Sequence, residues 1–227
     1  MNALLPGAVI GILFTVLSET TVAATINVPT PSVSPPVIHP LPMKIGLCVT
    51  PLLRDAHLRQ VKGQVRLEAG DASPGQDPTW QLGKAAVDTL STAMRAAFMG
   101  VVVLDACSPA SAPPPDVVAM VVPELSSAES LASDQKRTVA EILFRHARLE
   151  LRITLQSTNG AAAVSWTVAG FAIIRHGPWR GNSEDVIGRA LSQALLSGCA
   201  RFIADLYLRP EVHGWLIAQS QADEVLK

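Results

Sequence analysis

Arg148-Leu149-Glu150-Leu151-Arg152-Ile153-Thr154-Leu155-Gln156 is followed by Ser157-Thr158-Asn159-Gly160 and then by the largely apolar run 161–174. In the first part apolar and polar residues alternate strictly, which is the period of a strand with one buried face. Asn159-Gly160 suits a type I′ turn, whose two central residues need φ > 0. Val164, Trp166 and Val168 then alternate with Ser165 and Thr167. The stretch predicts a two-stranded antiparallel ribbon with one buried and one polar face. The rest of the chain must cover the buried face.

Upstream, Lys44-Ile45-Gly46-Leu47-Cys48-Val49-Thr50 reads as a strand stopped by Pro51. Ile45, Leu47 and Val49 line one side; the small Gly46 and Cys48 line the other and would let a helix pack closely. Residues 52–79 read as irregular, with a short edge strand at Val65-Arg66-Leu67. Asp77-Pro78 suits a helix entry, an acid cap before proline in the first turn. The helix is expected over 79–99, with Leu82, Ala86, Leu90, Ala93, Met94 and Ala97 on one stripe and Gly100 ending it. Val101-Val102-Val103-Leu104-Asp105 follows as a strand, completing a strand–helix–strand unit. A third strand is expected over 117–122, closed by Pro123, and a loop over 125–138. The alternation slips at Arg145-His146-Ala147, which predicts a bulge or a change from helical turn to strand.

Downstream, Arg175-His176-Gly177-Pro178-Trp179-Arg180 reads as a turn. Ser183 caps a helix running to about Leu208, with Glu184 and Asp185 favourably placed in its first turn. Its apolar stripe is Ile187, Leu191, Leu195, Cys199, Phe202, Ile203 and Leu206. Gly188, Ala194 and Gly198 thin its surface for close packing. Arg209-Pro210 ends it, and a short final helix over 212–225 turns Trp215 and Leu216 inward. The expected fold is α/β: a two-layer sandwich, its mixed sheet carrying a long antiparallel hairpin and its helices packed on one face.

The N-terminus is set apart from this domain. Residues 4–17 are apolar, the length of a signal-peptide core, and Val22-Ala23-Ala24 offers small residues for cleavage after Ala24. Met1-Asn2-Ala3 carries no Lys or Arg, so an uncleaved membrane anchor is the alternative. The expected division is signal peptide 1–24, Pro-rich linker 25–42 and a single α/β domain 43–227. Prolines 29, 31, 35, 36, 40 and 42 favour extended polyproline conformation. The linker is read equally as a spacer and as a disordered mature N-terminus.

Composition narrows the function classes. The chain is 48% hydrophobic and 16% charged, enough to bury a core across 227 residues. Glu19 is the one charged residue of 1–24, so the remainder balances 18 basic against 18 acidic side chains. That balance argues against nucleic acid as partner and against an anionic membrane surface. Cys48, Cys107 and Cys199 show neither a CxxC nor metal-site spacing. The favoured reading makes Cys48 and Cys199 buried small hydrophobes; one disulfide with a thiol left over is the alternative that export allows. No Cys follows the expected cleavage site to carry a lipid.

No nucleophile elbow, phosphate loop, dinucleotide fingerprint, HExxH or calcium loop occurs. Asp55 and His57 read as a solvated loop pair rather than an acid/base or metal pair, and His146 as a structural edge residue. Arg175, His176, Trp179 and Arg180 form the surface cluster that could hold an anionic or glycan headgroup. A loop whose Trp caps the core is the plainer reading. Arg148 and Arg152 on the polar ribbon face complete the candidate binding residues. No catalytic residue, metal or cofactor is expected, and the chain is read as not an enzyme.

Several stretches together carry a family resemblance. They are the leading strand from Lys44 to Pro51, the helix ending at Phe98 before a valine strand, the Gly-turned ribbon and the Ala-rich closing helix from Ala190 to Leu206. In this order the chain resembles small bacterial envelope proteins of the curli-secretion-lipoprotein and TolB amino-terminal-domain type, over roughly 44–208. That class includes accessory lipoproteins for polysaccharide export, lipopolysaccharide assembly and auxiliary subunits of lipid transporters. The resemblance implies a non-enzymatic role, often as a ring or partner-bound subunit. It carries over no functional residue, and this chain departs from it in lacking the lipid-bearing Cys.

The expectation is therefore a periplasmic accessory or assembly protein of an envelope transport or export system. Its partners would be envelope proteins, further copies of itself, or a lipid or glycan ligand. The alternative is a periplasmic carrier holding a lipid or other apolar ligand between sheet and helices.

Overall fold

The computed structural model describes residues 24–34, 39–61, 64–68, 78–105, 114–135, 142–158, 162–176 and 183–225. In chain order these form β1 (Thr25–Asn27), β2 (Leu41–Cys48), α1 (Pro51–Arg54), β3 (His57–Val61), β4 (Gln64–Glu68), β5 (Thr79–Gln81), α2 (Gly83–Ala97), β6 (Phe98–Leu104), β7 (Ala119–Gln135), β8 (Ile142–Ser157), β9 (Ala162–His176), α3 (Ser183–Leu208) and α4 (Pro210–Val225). The nine strands make one mixed sheet with the helices packed against it, the expected α/β sandwich.

The ribbon is β8–β9, paired antiparallel from Leu143–His176 to Gln156–Ala162. Alternation does what it predicts. Ala147, Leu149, Leu151, Ile153 and Leu155 are buried together with Trp166 and Val168, while Arg148, Arg152, Ser165 and Thr167 are exposed. Each fully buried Leu or Ile contributes roughly 1.5–3 kcal/mol. One core cluster joins these side chains to Leu90 and Met94 of α2 and to Leu191, Leu195, Phe202 and Leu206 of α3. Trp166 stacks on Phe202 at 6.2 Å between centroids. Where α3 crosses β9 the approach needs glycine. A Cβ on Gly170 would enter the carbonyl oxygen of Ala194 and lie 2.7 Å from the Gly198 nitrogen.

Strand β7 is the main correction to the expected elements. It does not close at Pro123 but runs to Gln135, through the segment read as a loop. Proline is tolerated there because the pairing of β7 with β2 stops at Val121 and that with β4 starts at Glu129. Between them β7 has β8 alone as its paired neighbour among the described strands, an edge-like position. A register shift between Leu125 and Ser127 then changes which residues face inward, so Pro123 and Leu125 are buried before it and Ala128 and Ser130 after it. Neither the bulge nor the helical turn expected at Arg145-His146-Ala147 is found, since the chain is strand from Ile142 and both ladders run through these residues without a shift. Arg145 simply takes an inward position at the ribbon's end.

The region read as irregular holds α1 and three short strands. β4 is not an edge strand, because it lies between β3 and β7. α2 begins at Gly83, since residues 79–81 are taken up as β5 between β1 and β3. Its entry is capped by backbone instead: the Leu82 and Gly83 N–H groups donate to Ala56 O at 3.0 and 2.9 Å. α2 ends without using Gly100, for Phe98 is already extended and opens β6. β2 and β6 are parallel, as a strand–helix–strand unit requires. The side of β2 bearing Gly46 faces the side chains of Leu104, Met120 and Val117 rather than a helix.

The linker expected over 25–42 is corrected at both ends. β1 pairs parallel with β5, Val28 is buried, and its N–H donates to Gln81 O at 3.1 Å. Ile26 and Val33 pack on the core, and β2 already starts at Leu41. Polyproline-compatible sequence is compatible with an extended strap, and apolar residues between the prolines are what seat it. The expected signal segment lies outside the described residues except Ala24, whose carbonyl accepts from Thr79 N at 3.0 Å.

The cysteines divide. Cys48 is disulfide-bonded, which corrects its reading as a plain buried hydrophobe. Cys199 is free and buried, as read. Burial pushes its thiol up to about 12.

Candidate functional site

The outward face of the ribbon is built from three columns in register. β8 contributes His146, Arg148, Glu150, Arg152 and Thr154. Opposite them β7 presents Leu131, Glu129, Ser127, Glu124 and Val122, and β9 presents Ile173, Phe171, Ala169, Thr167 and Ser165. Because paired residues share a face, this register alone brings all fifteen to one surface.

The surface has two parts. Toward Thr154 it is polar: Thr154 and Ser165 hydroxyls are 3.2 Å apart, and Arg152 stands between Glu124 and Thr167. Toward His146 it turns apolar. Phe171 is 52% and Ile173 65% exposed, high for side chains of that size, and a shallow groove of about 170 Å³ is lined by Glu129, Leu131, His146, Arg148, Phe171 and Ile173. Arg148 links the parts. Its guanidinium bonds Glu150 and lies over the Phe171 ring at 5.4 Å.

The candidate residues named from sequence are spread along this ribbon. Arg148, Arg152 and Arg175 share the outward face. Arg175 lies four residues beyond Phe171, roughly 13 Å along the strand from Arg148. His176 alternates to the opposite face from Arg175, so the two do not form one cluster. Trp179 and Arg180 lie outside the described residues. His146 is in a strand with neighbours on both sides, not at an edge.

Asp55 and His57 are not a solvated loop pair. Asp55 is exposed, while His57 is buried in β3 with Nδ1 3.0 Å from the Asp55 backbone oxygen. Its Nε2 lies 3.7 Å from Glu68, which Arg59 also approaches at 3.6 Å. The two residues thus meet through main chain, and the ring is held as part of the β3–β4 pair. Among the described residues no three His, Cys, Asp or Glu side chains converge as a metal site.

Sequence reasoning missed the exposed pair Phe171 and Ile173. The signal was present: after Gly170 the polar side of the alternation, held by Ser165 and Thr167, passes to Phe171 and Ile173. Two spaces elsewhere are also new. A groove of about 540 Å³ runs between β9 and α3. An apolar one of about 350 Å³ lies on the outer side of the helices, where Val33 of the strap faces Ala93, Leu196, Cys199 and Ile203.

No family model matches the chain, and no curated protein matches it. Solved structures do. A Xanthomonas campestris protein of the family model DUF330 is 12% identical, with 89% of this chain and 99% of that one covered at a TM-score of 0.47. A neuraminyllactose-binding hemagglutinin homolog from Helicobacter pylori is 9% identical, covering 82% and 96% at 0.47. The lipoprotein GNA1162 from Neisseria meningitidis is 14% identical, covering 72% and 99% at 0.24. At these identities and scores the likeness assigns no residue and no role to this chain. No described helix is long and apolar enough to cross a membrane.

Proposed function

We propose that this chain is a non-enzymatic, periplasmic accessory or assembly protein of a bacterial envelope transport or export system, working through protein–protein contacts on the ribbon. One observation supports this above the others: exposed Phe171 and Ile173 adjoin a column of charged residues on the same sheet face. Large apolar side chains beside arginine, presented around a groove of only about 170 Å³, suit a protein partner better than a small substrate. The Cys48 disulfide fits an oxidising compartment, as does the export signal expected from the sequence of residues 1–24. The test is capture of partners from envelope extracts by the wild-type chain and by Arg148→Glu/Arg152→Glu. Loss of the captured proteins supports the reading; an unchanged set places the interface elsewhere.

A second reading, a carrier of an apolar ligand, rests on the groove of about 350 Å³ beneath the strap. Between sheet and helices, where such a ligand was expected, Leu149, Leu151, Trp166 and Phe202 are buried, and the groove between β9 and α3 lies toward the sheet's margin. A fatty acyl chain would instead lie along Ala93, Leu196 and Ile203. Native mass spectrometry of gently purified protein tests this, and a chain that repeatedly carries no lipid and binds none from vesicles refutes it.

A further inference from the structure

Among the described residues β9 pairs with β8 alone, so its far side presents a row of backbone N–H and C=O groups along a 15-residue strand. Sheet edges are commonly blunted by proline, lysine, bulges or short length. β9 has none of these over most of its run: residues 162–174 contain no charge and no proline, and the one register shift on its β8 side falls near its start. The edge is also partly roofed. The groove of about 540 Å³ has Phe171, Ala172, Ile173 and Ile174 on one side and Ser192, Leu196 and Ala200 of α3 on the other. A strand laid beside β9 would find backbone partners below and, on α3, the short Ser192, Ser197 and Ala200 with the longer Arg189 and Gln193 beside them.

We propose that the β9 edge of a second copy of this chain occupies this position, antiparallel, making one sheet continuous across a two-fold axis. This rests on the reading of the ribbon as a contact surface and names the partner. Three features favour a second copy over an unrelated strand. First, β9 is compatible with itself. In a register centred on Gly170, Phe171 faces Ala169 of the partner, Ile173 faces Thr167 and Arg175 faces Ser165. Large residues meet small ones, and no like charges stand opposite. Second, α3 packs over β9 in each copy, so the two helices come side by side above the junction. Ser192, Ser197 and Ala200 are small enough for helices to approach at the usual 8–10 Å. Third, an isologous edge contact is closed: it consumes both edges and stops at two.

Sedimentation velocity and oxidative cross-linking test this on the purified chain. The wild type is expected to sediment at twice the monomer mass at about 100 µM, a range in which a specific contact of ordinary strength is populated. Phe171→Lys, at an exposed position near the axis, is expected to return it to monomer with an unchanged circular-dichroism spectrum. Thr167→Cys/Ile173→Cys is expected to give a disulfide-linked dimer, whereas either single variant is not. Within one chain these positions are six residues apart, roughly 20 Å, so only a second copy can join them. A monomeric wild type that still captures envelope proteins overturns the self-pairing while leaving the contact reading standing. A dimer that survives Phe171→Lys and yields no cross-link overturns the β9 edge as its interface.

Discussion

The guanidinium of Arg148 lies over the ring of Phe171, 5.4 Å from its centroid, across the β8–β9 register that places the two residues opposite each other. Arg148 also bonds Glu150, so one cation steadies an exposed aromatic and ties it to the charged part of the same face.

Reversing charge here separates binding from folding. Arg148 and Arg152 are both exposed. Exposed ion pairs and cation–π contacts are each worth about 1 kcal/mol or less. Arg148→Glu/Arg152→Glu should therefore leave the denaturant midpoint nearly unchanged while weakening partner capture about tenfold or more. A variant that unfolds would instead make the arginines structural.

Gly170 should tolerate nothing larger. Its Cβ would enter the Ala194 carbonyl, which belongs to helix backbone and cannot rotate away. Gly170→Ala is expected to cost about 3 kcal/mol or more in urea unfolding. Gly198→Ala is the milder comparison, because its Cβ meets the flexible Leu149 Cδ1 at 3.2 Å. Equal costs at both sites would mean that α3 can lift from β9.

The Cys199 thiol gives a pH dependence of fixed sign. Burial pushes it from 9.0 to about 12 in the folded chain, and unfolding returns it to water. Between those values the folded state holds a proton that the unfolded state has lost. Its stabilising contribution is complete below about pH 9 and falls as pH rises toward 12, by up to about 1.4 kcal/mol per pH unit. Between pH 8 and 10.5 the wild type should lose about 2 kcal/mol more than Cys199→Ala. Equal losses in the two proteins would show that the thiol is not buried.

The disulfide at Cys48 is checked by peptide mapping without reductant. Cys199 is free, so Cys48 is expected in a linked peptide that does not contain Cys199. Reduction, or Cys48→Ser, should lower stability by roughly 2–4 kcal/mol. Recovery of Cys48 as a free thiol in native protein would contradict the structure.

The ribbon, both long helices and the strands β2 and β6 were legible because each carries a sustained apolar pattern; that β2 and β6 run parallel comes from the structure. The strap was not. Residues 25–42 look like a linker by proline content, and the burial of Val28 with the packing of Ile26 and Val33 shows that the prolines space apolar anchors rather than solvate the chain. The second half of β7 was hidden for a different reason. Ser126, Ser127, Glu129 and Ser130 read as loop, and their strand state comes from the β8 ladder beside them. Tertiary pairing there overrides local preference. Of the candidate site, Arg148 and Arg152 follow from alternation alone. That a ribbon of this length can offer an edge is readable too, but that the open edge is β9's is not, since strand order is set by contacts far apart in sequence.

The position of β7 has one more consequence. One side of it holds β2 and β4 at different heights, and the other holds β8. In the network of strand pairings it is a cut point: without it the sheet separates into β1-β5-β3-β4, β2-β6 and β8-β9. Removing residues 119–135 therefore leaves three separate groups of described strands in place of one sheet, so the backbone pairing of the whole sheet passes through this one strand.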